Sequence, residues 1–303
     1  MFNKLQEGQE MVRIVDLLLS LPGMSRLKSR CHYLCQSITP YTSPLQVTLS
    51  PTLDGYQLGL QTGDTESAAR NLSTRCLHLF YASRPLQALQ IELETYAIIL
   101  SQLNCCKMKP LSCLAAIKTL RGINIEVSFD DIISEAEGNN DQMLRVYTIV
   151  LKLEVLVIFG RWKEALKLLT EAGDLTSTGY ATRTRLLFLE TLVFFRTKKK
   201  GKGMKSLKIV RLLVKRGNLN LVHILYLLEA ELSAVKGNKK KTETNYKSAI
   251  AAASKSGLQQ DKSLFHELAG TYFQSYDEYW AQHHFKCAEM SYKEWGAHAK
   301  LKS

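Results

Sequence analysis

Proline is scarce in this 303-residue chain. Its six copies are Pro22, Pro40, Pro44, Pro51, Pro85 and Pro110, and none lies beyond position 110. Proline breaks helix interiors, so the long proline-free remainder, rich in Leu, Ala, Lys and Glu, is permissive for helix. Cysteine is also sparse. Seven copies, an odd number without even spacing, argue against a disulfide framework and fit free thiols in a reducing, cytoplasmic compartment. Long apolar runs are missing too. The strongest N-terminal stretch, 12–19, is interrupted by Arg13 and Asp16, which excludes a signal peptide or membrane span and reads as an amphipathic core helix. No alternation of period two is visible, so no sheet is expected.

Catalytic signatures are absent as well. The chain has no Gly-x-Ser-x-Gly elbow and no His-Glu-x-x-His pair. His78, His223 and His266 fall in helical segments with no motif tying them to Ser, Cys or Asp, and Asp130, Asp131 and Glu135 read as charges at a helix start. Gly201-Lys202-Gly203-Met204-Lys205-Ser206 resembles a phosphate loop only superficially. Met204 separates glycine from lysine, no earlier glycine sits at the right distance, and no strand precedes it. Cys31, His32 and Cys35, like His283, His284 and Cys287, offer two well-placed metal ligands per helix face where zinc needs four. Joining the two sets requires the chain ends to meet, which an open helical array disfavours. Cys105-Cys106 is read as an ordinary thiol pair. The expectation is no enzyme, no cofactor and no metal site.

What is present is apolar material and positive charge. Hydrophobic residues make up 46% of the chain, enough for a sizeable core, and the net charge is +12. Helices are expected over 9–21 and 25–38, the first stopped by Pro22-Gly23, followed by a proline-rich loop over 39–51. A further element spans 53–60. Asp64 should cap a helix reaching Tyr81, Pro85 should open one running to about Cys105, and Pro110 a shorter one. Another helix is expected from Asp130-Asp131 to the break at Gly138-Asn139-Asn140. Beyond it, turn signals fall at Gly160, 198–203, Gly237-Asn238 and 275–277, spaced as helix–turn–helix units are in repeat arrays. Leu221, Leu225, Leu228, Leu232 and Val235 share one helical stripe, and Ala165, Ala249 and Ala281 are small where paired helices would approach closely. The fold class is therefore all-α, a helical-repeat solenoid of stacked antiparallel helix pairs. An N-terminal helical part, 1–137, and a repeat part, 138–303, would form one continuous array.

Gly160-Arg161-Trp162-Lys163-Glu164-Ala165-Leu166 resembles the turn and second helix of a tetratricopeptide repeat. Gly270, Phe273, Ala281, Phe285 and Ala288 resemble that motif again, one residue short between Gly270 and Ala281 and without its closing proline. Nearly the whole chain also resembles the helical region of the large multi-sensor hybrid kinases, signalling P-loop ATPases. The residues are Thr62-Gly63-Asp64-Thr65-Glu66-Ser67-Ala68, Arg84-Pro85-Leu86, Asn220 with His223, Leu227-Leu228-Glu229-Ala230-Glu231, Tyr246 with Ala249-Ile250, and Tyr292-Lys293-Glu294-Trp295-Gly296-Ala297 with Lys300. That resemblance implies a regulatory scaffold binding other proteins, among them a kinase or P-loop ATPase. The kinase, ATPase and sensor domains of that family are not in this chain, so a fragment of a larger signalling protein is a further reading.

The polar feature that stands out is two basic runs. Lys198, Lys199, Lys200, Lys202 and Lys205 form one, and Lys236, Lys239, Lys240 and Lys241 the other. Both are expected at inter-helix turns on one rim of the array. There they are either solvated loop lysines or a surface for nucleic acid or another anionic partner, binding by counterion release. Trp162, Tyr272, Tyr276, Tyr279, Trp280 and Trp295 are expected mostly in helix packing, a few of them in a superhelical groove.

Overall fold

The computed structural model describes residues 5–21, 23–106, 108–176 and 179–303, so the expected helix stop at Pro22 lies outside the described residues. Fifteen α-helices, short 3-10 turns and no strand make up the described chain. They are α1 (Leu5–Leu19), α2 (Ser25–Gln36), α3 (Leu49–Thr62), α4 (Thr65–Tyr81), α5 (Leu86–Gln102), α6 (Met108–Arg121), α7 (Phe129–Gly138) and α8 (Gln142–Ile158). Then follow α9 (Trp162–Glu171), α10 (Tyr180–Arg196), α11 (Lys200–Lys215), α12 (Val222–Val235), α13 (Lys239–Lys255), α14 (Gln259–Phe273) and α15 (Glu278–Trp295). Among the described residues no helix is long and apolar enough to cross a membrane.

Side-chain caps fix several helix starts. The Asp64 carboxylate accepts the Ser67 amide at 3.1 Å, Asp141 that of Leu144 at 2.9 Å, and Asp277 that of Trp280 at 3.1 Å. Each satisfies an amide that the first helical turn leaves without a partner. At α7, Ser128 and Asp131 cap each other reciprocally, so Asp131 serves the helix start as expected. The proline-rich stretch is more ordered than a loop. Thr39–Tyr41 and Leu45–Thr48 are 3-10 turns, and α3 begins at Leu49 with Pro51 in its first turn, where a missing amide hydrogen leaves no bond unmade.

From α4 onward the chain alternates between two layers. Helices α4, α6, α8, α10 and α12 pack successively side by side, and each outer helix bridges the inner helices before and after it. Helix α14 joins the inner layer through side chains: the Phe265 ring lies 6.3 Å from Phe188 of α10 and 5.9 Å from His223 of α12. Sequence decides the layer. Nearly every side chain of α8 from Leu144 to Ile158 is buried, whereas α9 buries only Ala165. Ala165, Ala249 and Ala281 are all buried at pair contacts, as their small size requires. Two glycines serve the same end by close approach: a Cβ on Gly203 would sit 2.6 Å from the Phe195 ring, and one on Gly270 2.7 Å from the Phe285 ring.

The array curls until its ends meet. Trp295 at the end of α15 lies against Phe80 of α4, ring centroids 6.3 Å apart, and the Ala299 amide donates to the Leu120 carbonyl of α6 at 3.0 Å. The Gln260 amide donates to Ser83 Oγ at 3.2 Å. One apolar cluster runs from Tyr41 to Ala297. Buried inner-layer side chains fill the centre, and the C-terminal end returns to α4 and α6, contacts that an open array does not make.

Candidate interaction surfaces and buried charges

The lysine runs occupy one rim but only partly occupy turns. Lys198 sits in the turn at φ 61° and Lys199 is the N-cap of α11, whereas Lys200, Lys202 and Lys205 are already helical. Lys236 closes α12, and Lys239, Lys240 and Lys241 form the first turn of α13. All nine are exposed. Arg196, the last residue of α10, pairs with Glu231 near the end of α12, so the C-terminal ends of these two inner helices are neighbours and bring both runs to the same rim. Lysine in the first turn of an outer helix adds positive charge to the positive end of the helix dipole, which is unfavourable for folding.

The first run is longer than its sequence cluster suggests. No Asp or Glu occurs between Glu190 and Glu229. Along α11, Lys202, Lys205, Lys208 and Lys215 are exposed, so the outward stripe of that helix is lysine-lined. Arg196 and Arg211 in this stretch pair with Glu231 and Glu229, both at 2.6 Å. None of the lysines from Lys198 to Lys215 has a carboxylate within salt-bridge reach among the described residues. The phosphate-loop look-alike falls inside α11, with Gly203 against Phe195, and offers no cradle of free amides.

The aromatic residues divide. Trp295 is fully buried, and Trp162 and Tyr272 pack partly buried against the core, with the Arg196 guanidinium 5.8 Å from the Trp162 ring centre. Tyr276, Tyr279 and Trp280 at the α14–α15 turn are 37%, 73% and 45% exposed. Lys239 Nζ lies 4.4 Å from the centre of the Tyr276 ring, which joins this aromatic patch to the second lysine run.

Histidines and cysteines go mainly to packing. Cys31, His32 and Cys35 lie on α2, and His283, His284 and Cys287 on α15; no group of three or more His, Cys, Asp or Glu side chains converges among the described residues. Cys287 Sγ is 3.8 Å from His283 Nε2, and the Cys105 and Cys106 sulfurs are 3.5 Å apart. His266 and His284 face each other, Nδ1 to Nδ1 3.0 Å, with Phe273 stacked on His284. Burial first, then neighbouring positive groups, push both imidazoles down to about 4. His78 is buried against Thr48 Oγ1 at 2.7 Å, and burial pushes it down to about 4 as well.

A chain of buried charges escapes the sequence motifs. Glu154 of α8 accepts Arg185 Nε of α10 at 2.5 Å and the Gln260 side-chain amide at 2.7 Å. Arg185 Nη2 also reaches Asp261 of α14 at 2.7 Å, and Asp261 Oδ2 meets His223 Nε2 of α12 at 2.8 Å. Burial alone would raise the Asp261 carboxyl, but Arg185 and His223 hold it far below the usual carboxylate range. Farther along, Glu231 receives Arg196 at 2.6 Å and the Tyr246 hydroxyl at 2.5 Å. Asn220 donates to the Pro40 and Ser43 carbonyls at 2.7 and 2.8 Å and accepts the Leu45 amide at 3.0 Å. Of these residues of the resemblance, Asn220 ties the turn before α12 to the proline-rich turns, His223 ties α12 to α14, and Glu231 ties α12 to α10 and, through Tyr246, to the outer helix α13. The signal was a polar residue on an otherwise apolar inner stripe, as Glu154 is within Leu153-Glu154-Val155.

A second exposed feature is apolar. Met11, Ile14, Leu18 and Leu21 follow steps of three and four, with Leu17 beside them, and their exposures range from 40% to 60%. None of the described side chains of α1 is buried. On α2, Leu27 and Leu34 are exposed as well.

No family model, curated protein or solved structure matched this chain.

Proposed function

We propose that this chain is a non-enzymatic helical-repeat scaffold that docks a protein partner on α1 and α2, outside the filled centre of the array. The observation that carries this is the unburied apolar stripe of α1. An amphipathic helix normally turns such a stripe inward, and a contiguous exposed one marks an interaction face. The kinase or P-loop ATPase suggested by the resemblance is the partner class, in a reducing, cytoplasmic setting that suits the seven free cysteines. Signalling through such a module needs no chemistry in the chain itself: it holds a catalytic chain in place.

The test is a pull-down from native lysate at about 50 and 200 mM salt. The wild-type chain is compared with one carrying Ile14→Glu and Leu18→Glu. An apolar interface predicts a kinase or ATPase polypeptide retained by wild type at both salts and lost from the variant. Equal retention by both chains would move the docking site off α1. Since α1 contributes no described buried side chain, the double change should leave the thermal transition of the remaining helices unchanged.

A further inference from the structure

The rim is a separate surface, and its composition points to a different class of ligand. Three observations converge there. The lysine stripe of α11 comes from a stretch of sequence without a carboxylate, and the two carboxylates that reach α11 from neighbouring helices, Glu190 and Glu229, are engaged by Ser206 and Arg211 and not by the lysines. The second run, at the start of α13, is carried to the same rim because the ends of α10 and α12 meet at Arg196 and Glu231. Beside it stand Tyr279 and Trp280, which the core does not use, with Tyr276 held against Lys239 at 4.4 Å and its hydroxyl donating to Glu243 at 3.0 Å.

We propose that this rim binds single-stranded nucleic acid, with the lysines of α11 and α13 on the phosphates and Tyr279 and Trp280 stacking with bases. From the rim at Lys200 and Lys202 the lysine stripe runs down the outer face of α11 to Lys215, about 20 Å at the rise of an α-helix. That is long enough for an extended strand to leave the rim along it with several phosphates in contact. Lysine alone would suit any polyanion; the aromatic pair selects among them. A base presents a flat face that an exposed indole or phenol can stack on, worth about 1–3 kcal/mol per base, whereas an acidic peptide offers none and a duplex keeps its bases stacked inside. A membrane surface is disfavoured because Leu212, 40% exposed, is the one large apolar side chain standing out of the lysine-lined face of α11. Glu243, Asp277 and Glu278 lie beside the aromatic patch. Of these, Asp277 caps α15, Glu278 accepts from Gln282 at 2.8 Å and Glu243 accepts from Tyr276, all neutral donors that leave the charges in place. Bases and not phosphates therefore belong at the aromatic patch, and the phosphates belong on the lysines.

Fluorescence anisotropy with a labelled oligouridylate of about 20 nucleotides tests this directly. A mixed-sequence duplex of equal length, polyglutamate and phosphatidylserine vesicles serve as competitors. Oligouridylate should bind at about 50 mM salt and weaken steeply by about 200 mM, and none of the competitors should displace it at equal charge. Lys202→Glu with Lys205→Glu and Lys208→Glu should weaken binding at least about tenfold and reduce the salt slope by about 2. Tyr279→Ala with Trp280→Ala should weaken it about five- to thirtyfold and leave the slope unchanged. Circular dichroism confirms that both variants are folded. No binding at low salt, displacement by duplex, polyglutamate or vesicles, or an aromatic variant that binds as wild type would each overturn the proposal. The Ile14→Glu, Leu18→Glu chain should keep full nucleic-acid affinity, so failure of one surface is separable from failure of the other.

Discussion

Charge is used in opposite ways inside this molecule and on its rim. Inside, Glu154, Arg185, Asp261 and His223 come from four different inner helices, and each has a partner of complementary chemistry within 2.8 Å. On the rim, the lysines of α11 come from one helix and pair with no carboxylate among the described residues. Buried charge is tolerated only where it is paired and hydrogen-bonded, so the inner chain fixes which helices lie together and in what register. Exposed charge contributes little to folding in either case, so an unpaired rim is left to other uses. The difference separates what holds the array closed from what the array presents.

The largest expected effect comes from breaking the inner chain. Arg185→Met leaves the buried Glu154 and Asp261 without the cation they share, held only by Gln260 and His223, and should cost about 3–5 kcal/mol, read as a lower midpoint in urea. The same substitution should raise the Asp261 carboxyl, because Arg185 opposes the effect of burial there. If Arg185→Met cost less than about 1 kcal/mol, the inner charges would not organise the array.

Acid should act on the interior next. His78, His266 and His284 each have a folded value of about 4, below the ordinary imidazole value near 6.5. A depressed value means that the unfolded chain takes up protons first. Stability is therefore complete above about pH 6.5 and declines as pH falls toward about 4. His78, fully enclosed, accounts for about 3 kcal/mol of that decline. Below that window Asp261 adds its own loss, since its carboxylate form is the one held by the fold. Thermal midpoints measured from pH 7.5 to 4 check the slope, and His78→Gln should flatten it by about one proton.

A smaller effect tests packing between layers. Gly270→Ala places a methyl where the Phe285 ring lies, so α14 and α15 must separate, at about 1–3 kcal/mol. An Ala at Gly201 meets open space and should be neutral or slightly stabilising, as helix propensity favours alanine. The pair distinguishes a glycine that permits close approach from one that merely sits in a basic helix start, and the ratio of urea midpoints reads it out.

Much of this was legible in the sequence, for reasons that can be named. Asp64, Pro85 and the Asp130-Asp131 start act locally, so helix entries could be read from a few adjacent residues, although the reciprocal cap from Ser128 was not. Burial of Ala165, Ala249 and Ala281 follows from size at a repeat contact. Closure of the array was not legible, because it rests on Trp295 against Phe80 and Ala299 against Leu120, pairs far apart in sequence with no periodic signature. The proline-rich turns looked like a loop for a similar reason. Their order comes from Asn220, whose amide satisfies three backbone groups between Pro40 and Leu45. Of the rim, the lysine clusters were visible but their extension along α11 was not, since Lys208 and Lys215 are scattered in sequence and align only on a helix.

The smallest expected effect on stability is the most informative about the rim. Reversing Lys202, Lys205 and Lys208 to Glu removes no salt bridge among the described residues and unburies nothing, so folding free energy should change by no more than about 0.5 kcal/mol. Its sign should be favourable, because negative charge near the start of α11 complements the helix dipole and relieves repulsion within a stripe of like charges. Urea midpoints at about 20 and 200 mM salt check this: the variant's advantage should shrink as the Debye length falls. A fold made slightly more stable by losing these lysines would mean that folding does not require them where they are, and a surface that folding does not require is the one to examine for binding. A variant destabilised by 2 kcal/mol or more would instead place the lysines within the machinery that holds α11 on α10, and the contrast between interior and rim would fail.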